Sequence, residues 1–252
     1  MYSQEDRRAL AEALAAAALQ DRRLSGVAVC GSMAVGREDA WSDIDLVFAV
    51  ADSSRLTEAL DDWTSAMVED HGAVHHVDIA SGRRVYRAFL LPSTLEVDLN
   101  FVPAEEFRAD GPKFRLLRGS PSQMLLPPAP VSAEHFIGMG WLHAEQARSC
   151  LARGRLWQAE RMIAAVRDQA LALACLRHDL RTLYGAAVDS LPPDVLADFT
   201  ASIMHAMNLE EASRAYQAAV AQLCAEARQA SRAADDRLLS ALTALANTSA
   251  VP

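Results

Sequence analysis

A cluster of four prolines interrupts the chain near its middle, in the sequence Pro-Ser-Gln-Met-Leu-Leu-Pro-Pro-Ala-Pro at residues 121–130. Proline lacks an amide hydrogen and clashes with the preceding helical turn, so this segment cannot continue a helix or a central strand. The residue patterns on its two sides also differ. We therefore expect two domains, at residues 1–125 and 126–252, joined by a linker that the prolines stiffen.

The residues before the prolines combine helix signals with short apolar strands. The opening sequence Ser-Gln-Glu-Asp at residues 3–6 is typical of a capping box, and the Ala/Leu-rich run after it predicts a helix to residue 22. A second helix, capped by Ser53 or Ser54, is predicted to end at about residue 70. Strands are predicted at residues 27–30, 43–50, 74–79, 84–91 and 95–102, the last of these being the final strand.

The residues after the prolines have helical periodicity almost throughout. Breaks near residues 153–154, 191–193 and 232–236 predict four or five helices in this half. The sequence thus predicts an α+β fold, in which a mixed β-sheet flanked by helices is followed by a C-terminal helical bundle.

The formal net charge of −9 at pH 7 bears on the partners of the chain. Proteins that bind nucleic acid without sequence specificity rely on basic surfaces that meet phosphates, so this charge argues against a nucleic-acid partner. The acidic excess is concentrated before residue 130 and suits a cationic small molecule better. The sequence carries no reliable signal for an oligomeric interface.

Cysteine spacing and the lengths of the apolar runs bear on the location of the protein. The four cysteines are scattered and form no Cys-x-x-Cys pair, which indicates buried free thiols rather than a zinc or redox site. The longest apolar run, residues 13–19, is far shorter than the roughly 20 residues that span a membrane, and no basic leader precedes an apolar signal core. We therefore expect a cytoplasmic protein without a membrane partner.

Two aspartates open the apolar segment at residues 43–50. Asp43 and Asp45 project from the same face of a strand, while Ile44 and Leu46 point into the core. Mg²⁺ prefers hard oxygen ligands and usually keeps only one or two protein carboxylates, with phosphate oxygens and water completing its octahedron. The pair therefore predicts a metal site that also holds a phosphate group.

Polar residues on both sides of this strand extend the predicted site. Glycine at Gly31 lets the backbone approach a phosphate closely, and the amides of a following helix start, with the Ser32 hydroxyl, can bind anionic oxygens. A third carboxylate is expected on a neighbouring strand, where Glu96, Asp98 and Asn100 share one face. We select Asp98 as this carboxylate, and Glu96 remains the alternative base.

The order of these motifs resembles the DNA polymerase beta-like nucleotidyltransferase superfamily, which has Gly-Ser, a spacer, Asp-x-Asp and a later acidic residue on an adjacent strand. The match covers about residues 26–102. The helical half after residue 132 is similar to the arrangement in small nucleotidyltransferases that modify aminoglycoside or lincosamide antibiotics. The resemblance implies a nucleotidyltransferase-fold catalytic domain followed by a helical domain that binds the acceptor.

The resemblance also implies a role for each residue of the motifs. Asp43 and Asp45 would bind metal, Ser32 would contact phosphate, and Asp98 would bind metal, accept the acceptor's proton, or do both. Two Mg²⁺ ions would stabilise the attacking oxygen and the leaving pyrophosphate during in-line displacement at the α-phosphorus of ATP. The expected reaction transfers AMP from ATP to a hydroxyl of a small molecule, with an antibiotic as the acceptor class.

Five further residues are candidates for the site. Arg37 either contacts the triphosphate or forms local ion pairs in an exposed connector. Ser42 either binds the nucleotide or orients the Asp-x-Asp strand. Glu96 and Glu160 are the acidic candidates for binding an acceptor, and the alternative for Glu160 is an ion pair at the surface of the bundle or at the domain interface. Lys113, the only lysine, lies in a basic loop at residues 111–115 and either reaches phosphate or is an ordinary exposed loop lysine.

Two other functions stay open at this point. The same catalytic core can transfer a nucleotidyl group to a protein or to the end of a transfer RNA, although the lack of a basic groove argues against RNA. A non-catalytic nucleotide-binding module belongs to a different class. The presence of all three carboxylates argues against such a module, because loss of a metal ligand would be its simplest sign.

Overall fold

The structure, a computed structural model, describes residues 3–92, 94–109, 111–122, 131–230 and 236–247. Contacts between residues divide the chain into two compact units, Met1–Pro128 and Ala129–Pro252. The predicted boundary between residues 125 and 126 lies outside the described residues, as does most of the predicted helix break at residues 232–236.

The first unit contains, in its described part, a six-stranded mixed β-sheet and two α-helices. Its helices are α1 (Gln4–Gln20) and α2 (Leu56–Glu69). Its strands are β1 (Leu24–Cys30), β2 (Ile44–Val50), β3 (His75–Ser81), β4 (Arg84–Leu90), β5 (Glu96–Pro103) and β6 (Phe114–Arg118). A mixed sheet with helices, followed along the chain by a helical unit, confirms the predicted α+β class.

The sheet has the strand order β3-β4-β5-β2-β1-β6. Neighbouring strands are antiparallel except β2 and β5, which run parallel and pair Asp45 with Asp98. Two parallel neighbours begin at the same edge of a sheet. The register therefore places the start of the Asp-x-Asp strand beside the strand predicted to carry the third carboxylate.

One face of the sheet packs against both helices. Alternate residues of β2, including Ile44 and Phe48, are buried on this face, and the Phe48 ring centroid lies 4.7 Å from that of Trp63 on α2. Burial of apolar area is the main favourable contribution to folding, so it fixes which residues of the strand point inward. The intervening residues point to the opposite face, which we call the carboxylate face because it carries Asp45 and Asp98.

The two helices of the first unit begin in different ways. At α1 the Asp6 amide donates to the Ser3 hydroxyl and the Ser3 amide donates to Asp6, which confirms the predicted capping box. A 3-10 turn, Ser53–Arg55, precedes α2, and the Asp52 carboxylate accepts a hydrogen bond from the Ser54 amide at 3.0 Å. The prediction that Ser53 or Ser54 caps this helix is wrong, because the carboxylate one residue earlier already accepts the exposed amide.

The sixth strand contradicts two predictions. Residues 95–102 were expected to form the final strand and residues 111–115 a loop, yet Phe114 and Arg115 belong to β6, which pairs with β1. The Arg118 guanidinium also donates to the carbonyl of Asp21, 3.1 Å away. The strand that pairs with β6 is β1, which is distant in the sequence, and Phe-Arg-Leu-Leu-Arg lacks the alternation that identifies a half-buried strand.

The second unit contains five α-helices in its described part, which confirms the prediction of four or five. They are α3 (Ala133–Ala152), α4 (Leu156–Arg177), α5 (Pro193–Phe199), α6 (Leu209–Ala230) and α7 (Asp236–Asn247). Small residues bring the helices close together: a Cβ added to Gly140 on α3 would lie 2.6 Å from Leu223 on α6. An ion pair of 2.9 Å between Arg177 and Glu226 links α4 to α6.

Two further expectations concern the cysteines and the membrane-spanning segments. Cys150, Cys175 and Cys224 are buried free thiols, as predicted, whereas Cys30 on β1 is only half-buried, so the prediction of burial is wrong for this residue. Within the described parts of the chain, no helix combines the length and the apolar character needed to cross a membrane.

Candidate functional site

Three carboxylates meet where β2 and β5 begin. Asp43 directly precedes β2, Asp45 is the second residue of that strand, and Asp98 lies beside Asp45 on β5. One oxygen of each residue lies within 4.8 Å of the other two. The fold thus brings together the three residues that the sequence predicts as metal ligands, and among the described residues this is the only such cluster of potential ligands.

Burial dominates the electrostatics of this cluster. Loss of hydration, together with the negative charges of Asp43 and Glu96, raises the pKa of Asp45 to about 6. Burial also raises the pKa of Asp98 to about 7, against the opposing effect of a hydrogen bond from Tyr86. Carboxylates held this close together repel one another when ionised. A cation placed between them would therefore be strongly favoured.

The donor atoms of the cluster fit a hard divalent cation such as Mg²⁺. All three residues offer carboxylate oxygens, the ligands that this ion prefers. Oδ1 of Asp98 is buried and has no hydrogen-bond partner among the described residues. Buried polar atoms are normally satisfied, so an unpartnered oxygen on a member of this cluster fits the role of a metal ligand.

Gly31 makes the close arrangement of the site sterically feasible. Its φ angle of +66° lies in the left-handed region, which glycine adopts at little cost. A Cβ added at this position would overlap Oδ2 of Asp45. The sequence suggested that this glycine lets the backbone approach a phosphate, and the structure shows that it also makes room for a carboxylate of the cluster.

Ser32 follows directly and begins a tight turn. Its backbone carbonyl accepts hydrogen bonds from the amides of Val35 at 3.2 Å and Arg37 at 3.0 Å. The predicted helix start is a single 3-10 turn, Met33–Val35, rather than a longer helix. The Ser32 hydroxyl is buried without a hydrogen-bond partner among the described residues, so it is available to an anionic oxygen.

The segment between this turn and Asp43 is held in place by side chains of α1. The Arg7 guanidinium donates to the Ser42 carbonyl, and the Gln4 amide donates to the Glu38 carbonyl at 2.9 Å. The Ser42 hydroxyl donates to Asp39 at 3.1 Å. These contacts link Ser42 to α1 and to Asp39 directly before the Asp-x-Asp strand, and both of its suggested roles stay predictions.

The other predicted site residues are Arg37, Glu96 and Glu160, and each lies in a different part of the chain. Arg37 is exposed after the 3-10 turn, and Glu96 is exposed at the start of β5, where its charge raises the pKa values of both Asp45 and Asp98. Glu160 is half-buried on α4. It belongs to the second compact unit, whereas the three carboxylates belong to the first.

Tyr86 on β4 contacts the carboxylate cluster and was not predicted from the sequence. Its hydroxyl donates to Oδ2 of Asp98, the oxygen opposite the unpartnered Oδ1. Burial and this hydrogen bond raise the pKa of the phenol well above its ordinary value, so the hydroxyl stays protonated and remains a donor. The antiparallel register, which pairs Tyr86 with Asn100, places it on the carboxylate face. Only this pairing of distant residues identifies it.

A cavity of about 220 Å³ lies on the carboxylate face. Asp45 and Asp98 line it together with Asn100, and Lys113 stands at the same cavity. The sequence left the role of Lys113 undecided. The structure places this exposed loop lysine at the cavity that Asp45 and Asp98 also line.

Comparisons with known proteins assign no function to the chain. No family model and no curated protein matches the chain. Among solved structures, the chain is similar to an aminoglycoside 6-adenyltransferase from Bacillus subtilis, with 13% sequence identity and a TM-score of 0.41; the similarity covers 98% of this chain and 100% of that one. A likeness at this level does not specify a function, which the side chains of the site have to indicate.

Proposed function

We propose that this protein is a Mg²⁺-dependent nucleotidyltransferase that transfers AMP from ATP to a hydroxyl of a small molecule and releases pyrophosphate. The observation that carries the proposal is the carboxylate cluster itself. One oxygen each of Asp43, Asp45 and Asp98 lies within 4.8 Å of the others. Gly31, whose missing side chain leaves room for Asp45, stands next to this cluster, and Ser32, with its unpartnered hydroxyl, follows it in the chain.

Each residue of the site has a separate role in the proposed reaction. Asp43, Asp45 and Asp98 would hold two Mg²⁺ ions, and these ions would supply charge stabilisation for the attacking oxygen and the leaving pyrophosphate. The Ser32 hydroxyl would bind a phosphate oxygen, and the exposed Arg37 guanidinium would contact the outer phosphates. This arrangement orients the α-phosphorus for in-line attack.

The bond changes at the α-phosphorus are those of a single displacement. The acceptor oxygen forms a bond to the α-phosphorus, and the bond from this phosphorus to the oxygen that bridges to the β-phosphorus breaks, so that pyrophosphate leaves with the electron pair. The acceptor hydroxyl loses its proton to a carboxylate. Asp98 is our choice for this role because its Oδ1 has no other hydrogen-bond partner among the described residues, and the exposed Glu96 is the alternative.

A cationic acceptor, such as an aminoglycoside antibiotic, suits the charge of the protein. The net charge of −9 favours the approach of a cation, and Glu96 stands exposed beside the carboxylates. Glu160 on α4, in the second unit, stays a prediction from the sequence as a residue that binds the acceptor.

The test is pyrophosphate release from ATP and Mg²⁺ with a panel of aminoglycosides, with lincosamides and with buffer alone. We expect release that depends on the acceptor, and its loss in Asp43→Asn. Asp70→Asn is the matched control, because Asp70 is an exposed aspartate at the end of α2 and outside the site. Equal release by Asp43→Asn and the wild type would disprove the site. ATP binding without release for any small molecule would favour a macromolecular acceptor or a binding module.

A further inference from the structure

The cavity on the carboxylate face has charges of both signs on its walls. Asp45 and Asp98 stand at the carboxylate cluster, and Arg84, Arg108 and Lys113 contribute three cationic side chains to the same cavity. The apolar part of the lining includes Val47 and Phe114. A pocket with this distribution of charge suits a ligand that carries anionic groups and approaches a bound cation.

Two of the three cations already have partners in the protein. The Arg84 guanidinium donates to the Glu106 carboxylate at 2.9 Å and to the Glu106 carbonyl at 2.7 Å. Arg108 also takes part in an interaction within the protein. The Arg84 side chain is therefore engaged with the wall of the cavity, and Arg108 is engaged within the protein.

Lys113 differs from these two arginines. It is exposed, and among the described residues no carboxylate forms an ion pair with its ammonium group. Burial and the charge of Asp43 raise the pKa of Asp45, and the positive charge of Lys113 acts on Asp45 in the opposite direction. The ammonium group is thus close enough to influence the carboxylate cluster while remaining available to a ligand.

We propose that Lys113 binds the phosphate groups of the nucleotide from the rim of this cavity. The inference rests on the proposed function, and it adds a residue that contacts the polyphosphate. A lysine ammonium is a compact charge on a flexible four-carbon stem, and it binds phosphate by charge without a fixed geometry. A mobile cation beside the metal ligands can follow the pyrophosphate as it leaves the α-phosphorus.

The competing explanation is that Lys113 serves only as a counter-ion for Asp45. Under this explanation its removal would increase the affinity for Mg²⁺, because a nearby positive charge repels the ion, and ATP binding would not weaken. A phosphate-binding lysine predicts the opposite result for ATP. The two explanations therefore differ in the sign of the effect on nucleotide affinity.

The first experiment uses the fact that Lys113 is the only lysine in the chain. An amine-reactive ester then labels Lys113 and the α-amino group, and peptide mass spectrometry separates the two. We expect MgATP and magnesium tripolyphosphate to protect Lys113, whereas adenosine leaves the labelling unchanged. Protection by ATP and not by tripolyphosphate would assign the contact to the nucleoside and overturn the proposal.

The second experiment measures the affinity for MgATP in variants. Lys113→Met should weaken binding about tenfold, the loss expected for one charged hydrogen bond, and Lys113→Arg should retain most of the affinity. Arg115→Met is the matched control, because Arg115 is an exposed cation two residues away that lines a different pocket with Arg8 and Glu38. Circular dichroism and the binding of Mg²⁺ alone show whether the variants remain folded with an intact metal site.

The outcomes separate this proposal from the proposed function. Unchanged ATP affinity in Lys113→Met, with the wild type still releasing pyrophosphate, would overturn the role of Lys113 alone. A wild-type protein that binds neither MgATP nor tripolyphosphate would overturn both. Selective loss of ATP affinity in Lys113→Met, together with protection of the lysine by tripolyphosphate, supports the assignment.

Discussion

At the scale of single residues, the two oxygens of Asp98 have different surroundings. Oδ2 accepts a hydrogen bond from the Tyr86 hydroxyl, and Oδ1 has no hydrogen-bond partner among the described residues. A carboxylate fixed through one oxygen can present the other in a constant direction. Tyr86 is therefore a positioning residue, which acts on the proposed reaction through Asp98.

Replacing Tyr86 by phenylalanine tests this role. Loss of a hydrogen bond to a charged group should lower kcat of the proposed transfer about tenfold, with a smaller change in the KM for ATP, because the nucleotide contacts remain. Tyr216→Phe is the control, since the Tyr216 hydroxyl is buried in the helical unit without a partner among the described residues. Equal kcat values for Tyr86→Phe and the wild type would show that Asp98 needs no such support.

Gly31 and Gly36 form a matched pair of glycines in the same segment. Both have a φ angle of +66°, so alanine at either position costs about 1 kcal/mol of backbone strain. A Cβ at Gly31 would overlap Asp45, whereas a Cβ at Gly36 would meet no atom within 4 Å. Gly31→Ala should therefore lose Mg²⁺ binding and turnover, while Gly36→Ala should lose only stability. Calorimetry with Mg²⁺ measures the difference, and normal Mg²⁺ binding by Gly31→Ala would contradict it.

At the scale of elements, α1 packs against the sheet and also positions the segment before β2. Its first turns hold the segment before β2 through Arg7, Gln4 and Arg8, which forms an ion pair with Glu38. Burial of the opposite side of the helix against the sheet fixes the positions of these side chains. The direction in which Asp43 points thus depends on how α1 packs.

At the start of α6, an ion pair between Glu211 and Arg214 holds the preceding loop against the helix, and this ion pair depends on pH. The Glu211 carboxylate accepts hydrogen bonds from Arg214 at 2.6 Å and from the His205 amide at 2.8 Å. Arg214 also donates to the Ile203 carbonyl, so the pair fastens the preceding loop to the helix. The hydrogen bond from Arg214, with that from the His205 amide, lowers the pKa of Glu211 from 4.5 to about 2.

The lowered pKa predicts how Glu211→Gln affects stability at different pH values. Since the carboxyl is more acidic in the folded protein, its contribution is present above pH 4.5 and is lost as the pH falls toward 2. The variant should be less stable than the wild type at pH 7, and the difference should shrink through this window. Urea unfolding at several pH values measures it, with Glu210→Gln as the exposed neighbouring control. A difference that is independent of pH would contradict the prediction.

At the scale of the whole molecule, each of the two compact units has its own apolar core. The core of the first unit lies between the sheet and its helices, and that of the second lies among α3, α4 and α6. The carboxylate cluster belongs to the first unit alone. Binding of a metal should therefore affect the two units unequally.

Addition of Mg²⁺ should stabilise the first unit. A ligand that binds only the folded state at about 100 times its Kd adds roughly 2.7 kcal/mol of stability. Hydrogen exchange should consequently slow more in β2 and β5 than in α4 and α6, and removal of the ion with EDTA should reverse the effect. Asp43→Asn should respond much less. Equal slowing of exchange in both units would argue against a metal site at this cluster.

The sequence by itself determined the features that depend on neighbours along the chain. The alternation of side chains on a strand placed Asp43 and Asp45 together, and on β5 it placed Glu96 with Asp98. Helical periodicity predicted the second half, and the local capping box predicted the start of α1. These patterns need no knowledge of distant residues, because they follow from the geometry of one helix or one strand.

Only the tertiary structure decided which distant residues meet. The parallel register of β2 and β5 put Asp98 beside Asp45, the pairing of β4 with β5 brought in Tyr86, and the fold placed Lys113 at the same cavity. The sixth strand was missed for the same reason. The burial of the apolar strand faces against α1 and α2 sets the register between strands. Because this burial is a property of the assembled core, no single segment of the sequence predicts the register.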